Sequence, residues 1–97
     1  NEFQRALEKG DAILIDVRTP QEFASGHIPG SINIDWSGAD YESSFARLDP
    51  ERPVLLYCAM GGRSDQARSY LAEKGFEAYD LDEGIISWKA AGLPVEK

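Results

Sequence analysis

The chain has 97 residues, 42% of them hydrophobic, and a formal net charge of −7 at pH 7. This length and apolar content suit a single domain over residues 1–97 with one core. The acidic balance predicts no nucleic-acid partner and no membrane partner, because both anionic surfaces select for clusters of Lys and Arg. No apolar run approaches the roughly 20 residues of a membrane-spanning helix, and we expect no signal peptide.

The first third of the sequence predicts a helix, a strand and a second short helix. Apolar side chains at helical spacing within residues 3–7 precede Gly10, which is typical of a helix stop. Residues 12–15 form a continuous apolar run, the pattern of a strand buried on both faces. Residues 19–22 combine an N-cap, a proline at the first helical position and a glutamate at the third.

The middle of the sequence predicts a strand, a third helix and a second buried strand. Residues 26–30 have the composition of a turn and precede a short strand over 31–34. Apolar side chains within residues 41–48 recur at helical spacing. Residues 53–58 then form the second fully apolar run, which ends at a cysteine.

The last third of the sequence completes an alternation of strands with helices. A tight loop over 59–62 leads into a helix from about Ser64 to Lys74, residues 78–81 predict a strand, and residues 85–89 predict a last helix. Apolar runs in alternation with helices indicate a mainly parallel sheet between helical layers. The sequence therefore predicts the α/β fold class.

Cys58 stands where a ligand site is expected in such a sheet, at the end of a buried strand and before a helix. Gly61 and Gly62 permit backbone N–H groups to turn inward as an anion-binding nest. Arg63 adds a permanent positive charge, and the helix that Ser64 opens adds its dipole. All of these favour a thiolate, so we expect a thiol pKa below the ordinary value of about 8.5.

A lone cysteine at the end of an apolar strand is more often an inert core residue. The Gly-Gly-Arg-Ser that follows Cys58 favours the reactive interpretation, because a packing cysteine needs neither the glycines nor the arginine. The chain has one cysteine and one histidine, His27. This inventory disfavours a Cys–His hydrolase, a disulfide framework and a metal site, and we expect no cofactor. A single unpaired thiol is compatible with both the cytoplasm and the periplasm.

Several spaced motifs resemble the rhodanese family of sulfurtransferases. The loop from Cys58 to Arg63 matches the pattern Cys-x-x-Gly-x-Arg of its active site. Further likenesses lie in Leu14-Ile15-Asp16-Val17-Arg18, Glu22-Phe23, the run from Gly26 to Ile34, Gly75-Phe76, Leu81, Gly84, Trp88 and Gly92-Leu93-Pro94. The resemblance covers nearly the whole chain.

The resemblance implies a rhodanese-like fold with a central five-stranded parallel sheet and helices on both faces. It implies that Cys58 is the catalytic nucleophile, which takes a sulfane sulfur from thiosulfate or a persulfide and holds it as a persulfide. The acceptor would be cyanide, a thiol or a cysteine of a partner protein. The implied substrate-binding residues are Ala59, Met60, Gly61, Gly62 and Arg63. We expect the chain to act as a monomer.

Two departures from the family pattern concern the substrate. Paired glycines often precede the last helix in the family, whereas this chain has Glu83-Gly84. Many members that use thiosulfate carry extra basic residues in the loop, whereas here Arg63 is the loop's one charged residue. These departures favour a persulfidic thiol or protein over thiosulfate as the donor, with Met60 as an apolar lip.

Other conspicuous residues have structural interpretations. Asp16 and Arg18 are expected to form an ion pair, Glu22 to cap a helix, His27 to order its turn, and Trp36 and Trp88 to pack. Competing functions are a cysteine phosphatase or arsenate reductase, whose signature has five rather than four residues between Cys and Arg. A non-catalytic or redox-sensing rhodanese-like module is the other alternative.

Overall fold

The computed structural model describes residues 2–81 and 83–97, and its elements follow the predicted order. The helices are α1 (Glu2–Lys9), α2 (Pro20–Ala24), α3 (Tyr41–Ala46), α4 (Gly62–Glu73) and α5 (Gly84–Ala90). The strands are β1 (Ile13–Asp16), β2 (Ile32–Asn33), β3 (Val54–Tyr57) and β4 (Ala78–Asp80). Among the described residues, no helix combines the length and the apolarity that crossing a bilayer requires.

All strands of the sheet run parallel, in the order β2-β1-β3-β4. The two fully apolar runs of the sequence are the central strands β1 and β3, which are buried along their whole length. The chain passes from each strand to the next parallel strand through a connection that contains a helix, as parallel pairing demands. The predicted α/β fold with a parallel sheet is confirmed.

The expectation of five strands is wrong for the part of the chain that the structure describes, where the sheet has four. The number five came from the family resemblance, whereas the apolar runs of the sequence themselves predicted four strands. Outside the named strands, the described residues add one antiparallel bridge between His27 and Glu96. A single bridge fixes one residue pair and is too short to count as a strand.

The sheet separates two cores, because successive side chains of a strand point to opposite faces. Ile15 and Leu56 pack with α3 and α4 on one face, and Cys58 joins this core. Leu14 and Leu55 pack with α1 and α5 on the other face. Complete burial of each such side chain contributes about 1.5–3 kcal/mol. The helices therefore cover both faces, and the loop after β3 is held between α4 and α5.

The residues that the sequence predicts to be structural make structural contacts in the fold. Arg18 and Asp16 form a buried ion pair at 2.7 Å. The Nδ1 atom of His27 donates to a backbone carbonyl of α2 at 3.0 Å, which anchors the turn. Trp88 lies in the core, and Trp36 packs against aromatic rings of α3 and α4. These expectations are confirmed, and none of these side chains needs a catalytic role.

Candidate active site

The backbone after β3 folds around the sulfur of Cys58, which is only 1% exposed. The N–H of Gly61 donates to Cys58 Sγ at 3.0 Å, and the hydroxyl oxygen of Ser64 lies 3.6 Å from Sγ. Gly61 has a φ of 109°, a left-handed conformation that favours glycine. This conformation turns the Gly61 amide back toward the sulfur, as expected for the inward-facing nest that the two glycines predicted.

The carbonyls of the same loop face the other way, toward the start of α5. Ile85 N–H donates to Cys58 O at 2.9 Å, and Ile86 N–H donates to Ala59 O at 3.3 Å. Because these carbonyls are bonded to α5, the orientation of the loop's peptide groups is fixed before any substrate arrives. The loop is thus preorganised, and its amide donors need not reorient during a reaction.

Gly84 makes this close packing of α5 on the loop possible. It has a φ of 70°, and a Cβ added there would lie 2.6 Å from Cys58 O and overlap the carbonyl group of Ala59. A glycine is therefore required by both the backbone conformation and the space. The sequence has Glu83-Gly84 where the family that it resembles often has paired glycines, and the structure shows that Gly84 makes the contact with the loop.

The loop lowers the pKa of Cys58 despite its burial. Burial by itself raises this pKa, because it disfavours the charged thiolate. The amide and hydroxyl groups of Ser64 and the amides of Gly61 and Met60 lower it by more, because hydrogen bonds with these groups stabilise the negative form of the sulfur. The net direction is the one expected from the sequence, and the result is a thiol shifted toward the nucleophilic thiolate.

Arg63 lies in the first turn of α4, because α4 begins two residues earlier than predicted, at Gly62. Its guanidinium donates to both carboxylate oxygens of Glu22, at 2.8 and 3.1 Å. The hydrogen bond to Glu22 raises the pKa of Arg63, and the negative charge of Cys58 acts in the same direction. The guanidinium thus interacts electrostatically with the sulfur of Cys58, while its direct hydrogen-bond partner is the carboxylate of Glu22.

Glu22 has two functions, of which the sequence revealed one. The predicted capping box is present, since Thr19 N–H donates to Glu22 Oε1 at 3.1 Å and Thr19 Oγ1 accepts from Glu22 N–H at 3.3 Å. The same carboxylate binds Arg63, whose hydrogen bonds lower the pKa of Glu22 to about 2. The capping box thereby connects α2 to the first turn of α4 and restrains the arginine next to the loop.

The remaining predicted site residues form the outer part of the loop. Ala59 is partly buried, Gly62 is exposed, and the side chain of Met60 is 74% exposed. Met60 therefore directs its amide toward the sulfur and its side chain toward solvent. It lines a shallow groove of about 250 Å³ with Glu83, Ile86 and Ser87.

Sequence reasoning missed Ser64 and Gly84 as parts of the site. Ser64 is fully buried, and its hydroxyl donates to Gly61 O at 3.1 Å while lying next to the sulfur. A hydroxyl residue directly after Arg63, at the start of a helix behind a nucleophile, was the available signal. Gly84 was noted only as part of the family resemblance, because its close approach to the loop depends on tertiary packing.

Comparison with known proteins identifies the family of this chain. The family model described as "Rhodanese-like domain" matches residues 1–91. The chain belongs to the rhodanese-like domain family. It is 37% identical over 93 residues to a sulfurtransferase of Allochromatium vinosum, covering 95% of this chain and 85% of that protein. It is also 37% identical over 86 residues to the thiosulfate sulfurtransferase GlpE of Pseudoalteromonas translucida, covering 88% of this chain and 80% of that protein.

The fold of this rhodanese-like chain is also similar to that of solved structures. A crystal structure of a rhodanese-related protein from Thermoplasma volcanium superposes with a TM-score of 0.85 at 31% identity. The match covers 97% of this chain and 90% of that protein. The resemblance first seen in the sequence motifs thus extends to the arrangement of the backbone.

Glu22→Gln is expected to lower the melting temperature by a few degrees at neutral pH and by progressively less in acid. The folded-state pKa of about 2 lies below the ordinary value of 4.5 for a glutamate, so the ionised carboxylate stabilises the fold. That contribution is complete above about pH 4.5 and is lost as the pH falls toward 2. Solvent screening at this partly exposed pair keeps the effect small. A difference in melting temperature that stays constant down to about pH 2.5 would contradict the ion pair.

Arg63→Ala is expected to slow sulfur transfer by about 10- to 100-fold, since it removes a charge beside the reacting sulfur. The pKa of Cys58 should rise only slightly, because the hydrogen bonds of the loop and of Ser64 persist. The pH dependence of alkylation by iodoacetamide measures this pKa. Ser64→Ala, which removes a hydrogen bond to the sulfur, should raise it more. An Arg63→Ala thiol with the ordinary pKa of about 8.5 would show that the guanidinium, not the backbone, holds the thiolate.

Proposed function

We propose that this rhodanese-like chain is a sulfurtransferase that carries a sulfane sulfur as a persulfide on Cys58. The observation that carries the proposal is the ring of polar groups around one sulfur, with the donating Gly61 N–H at 3.0 Å and the Ser64 hydroxyl oxygen at 3.6 Å. Such a ring fits a single anionic sulfur better than a neutral thiol. The relatives named as sulfurtransferases support the same class of reaction.

The proposed reaction has two displacements at sulfur and needs no oxidant or reductant. In the first, the Cys58 thiolate attacks the outer sulfur of the donor, a new S–S bond forms, and the donor's own S–S bond breaks. Sulfite leaves from thiosulfate, or a thiolate leaves from a persulfide, with the electron pair of the broken bond. In the second, cyanide or an acceptor thiolate attacks the outer sulfur, and Cys58 leaves as the thiolate from which it began.

The loop residues contribute binding and charge stabilisation in this proposal. The backbone amides of residues 59–63 would hold the outer sulfur of the persulfide and the anionic leaving group. The carbonyls of Cys58 and Ala59 are already bonded to α5 on the opposite side, so donation from this part of the loop toward the sulfur requires no rearrangement. Arg63 would add its positive charge, restrained by Glu22. We include the whole chain, residues 1–97, in this one functional unit.

The charge around the loop favours a persulfidic thiol over thiosulfate as the donor. Thiosulfate carries two negative charges, whereas Ala59 and Met60 are neutral and Arg63 is already paired with Glu22. A persulfide carries a single charge on its terminal sulfur and an organic group on the other side. The exposed side chain of Met60 provides an apolar surface for such a group. The relative named as a thiosulfate sulfurtransferase keeps thiosulfate as the comparison donor.

Steady-state sulfur transfer to cyanide, measured as thiocyanate with each donor in turn, tests the proposal. We expect turnover with both thiosulfate and a small organic persulfide, and a higher kcat/KM with the persulfide. Turnover with neither donor would contradict the assignment as a sulfurtransferase and would leave a binding or redox-sensing module. Equal or better turnover with thiosulfate would contradict only the donor preference.

A further inference from the structure

We propose that the groove formed by Met60, Glu83, Ile86 and Ser87 docks a partner protein that presents its acceptor cysteine between an apolar side chain and a basic one. This inference rests on the proposed function, because it names the acceptor of the sulfur that Cys58 carries. We call this surface the rim groove.

The rim groove contains an unusual share of the exposed apolar surface. In the described part of the chain, the large hydrophobic side chains with substantial exposure are Ile32, Met60, Ile86 and Val95. Met60 is 74% exposed and Ile86 is 55% exposed, and both line this one groove. Met and other apolar side chains are typical of the centres of protein interfaces. A partner that covers them would remove both from water.

The rim groove is built directly on the loop that surrounds the sulfur. The amide of Met60 faces the sulfur of Cys58 while its side chain lines the groove. The amide of Ile86, which also lines the groove, donates to Ala59 O at 3.3 Å. A segment bound in the groove therefore lies beside the loop. Since Cys58 is only 1% exposed, a thiol must be guided to it, and a docked neighbouring residue can do so.

Charge in the rim groove selects a basic partner. Glu83 places an exposed carboxylate in the groove, and the chain as a whole has a net charge of −7. The guanidinium of Arg63 is bound to the carboxylate of Glu22. An acceptor with Lys or Arg beside its cysteine is attracted to this surface, whereas an acidic one is repelled.

The shape of the groove favours a protein over a small thiol. Pockets that enclose small molecules have volumes of roughly 300–1,000 Å³ and bury most of the ligand. The rim groove, at about 250 Å³, is shallow and open. A small thiol would have few contacts there, whereas a protein segment can add contacts on both sides of the groove.

Single-turnover transfer from persulfide-loaded protein to two synthetic peptides tests the inference. Each peptide has one cysteine and a neighbouring leucine, and they differ in a flanking Lys or Glu. Intact mass first confirms one added sulfur on Cys58, and then follows its loss. We expect the Lys peptide to accept sulfur about fivefold faster than the Glu peptide, the scale of one exposed charge pair. Glu83→Lys should reverse this preference, and Glu83→Gln should remove it.

Glu73→Lys is the matched control, because it makes the same charge change at an exposed position at the far end of α4. This variant should keep the preference for the Lys peptide. Equal rates for the two peptides, or a preference that Glu83→Lys leaves intact, would overturn the docking inference alone. If free cysteamine accepts sulfur as fast as the Lys peptide, the groove serves a small cationic thiol, which also overturns it. Failure to load any sulfur would overturn the proposed function as well.

Discussion

Cys58→Ser is expected to abolish sulfur transfer, with a loss on the order of 10³-fold or more. A serine oxygen cannot form the S–S bond on which the cycle depends, and its hydroxyl stays protonated at neutral pH. The fold should persist, because the hydroxyl can still accept the Gly61 N–H that bonds the sulfur at 3.0 Å in the native protein. Thiocyanate formation measures the loss, and thermal unfolding verifies that the variant is folded.

Ser64→Ala is the matched control for this substitution. It removes a buried hydroxyl next to the sulfur but leaves the nucleophile in place. We expect this variant to retain measurable transfer with a raised thiol pKa. A Cys58→Ser protein that keeps even about a tenth of the native rate of sulfur transfer would contradict the assignment of Cys58 as the nucleophile.

Gly84→Ala is expected to destabilise the protein by about 2–5 kcal/mol and to impair sulfur transfer in whatever protein remains folded. The new Cβ would overlap the carbonyl of Ala59 and approach Cys58 O, so α5 and the loop must separate. Separation would break the bonds from α5 that orient the loop carbonyls. For a chain of this length, the melting temperature should fall by roughly 10–30 °C.

Gly92→Ala separates the clash at Gly84 from the strain of its backbone. Gly92 has a similar left-handed φ of 77°, but a Cβ there would meet nothing within 4 Å. It should therefore show only the conformational cost of about 1–2 kcal/mol, with normal sulfur transfer. Equal destabilisation by Gly84→Ala and Gly92→Ala would mean that the clash between α5 and the loop contributes nothing to the loss of stability.

The elements of the fold were predictable because each has a strong local signal. The apolar runs at residues 12–15 and 53–58 became the two central strands, and the capping box at Thr19 began α2 as expected. The start of α4 was placed two residues late, because Gly62 is a poor helix former in isolation. The positive φ of Gly61 lets the chain enter the helix at once, so tertiary context overrode the propensity.

Cys58 and the loop that follows it could be singled out from the sequence, but the groups that surround the sulfur only in part. Gly61 indicated an inward-facing amide, and the structure shows that amide bonded to the sulfur. The ion pair of Arg63 with Glu22 joins residues 41 positions apart, and capping already explained the glutamate. Local patterns do not report such contacts. The same holds for Gly84, because the requirement for glycine at this position becomes apparent only when α5 packs on the loop.

The most direct test of the account is the intact mass of the protein during one catalytic cycle. After incubation with a small persulfide donor and removal of the excess, the native chain should gain the mass of one sulfur atom. Addition of cyanide should remove that mass and release an equal amount of thiocyanate, while Cys58→Ser shows neither change. Thiocyanate formation without any sulfur adduct on Cys58, or an adduct that cyanide does not discharge, would contradict the persulfide mechanism.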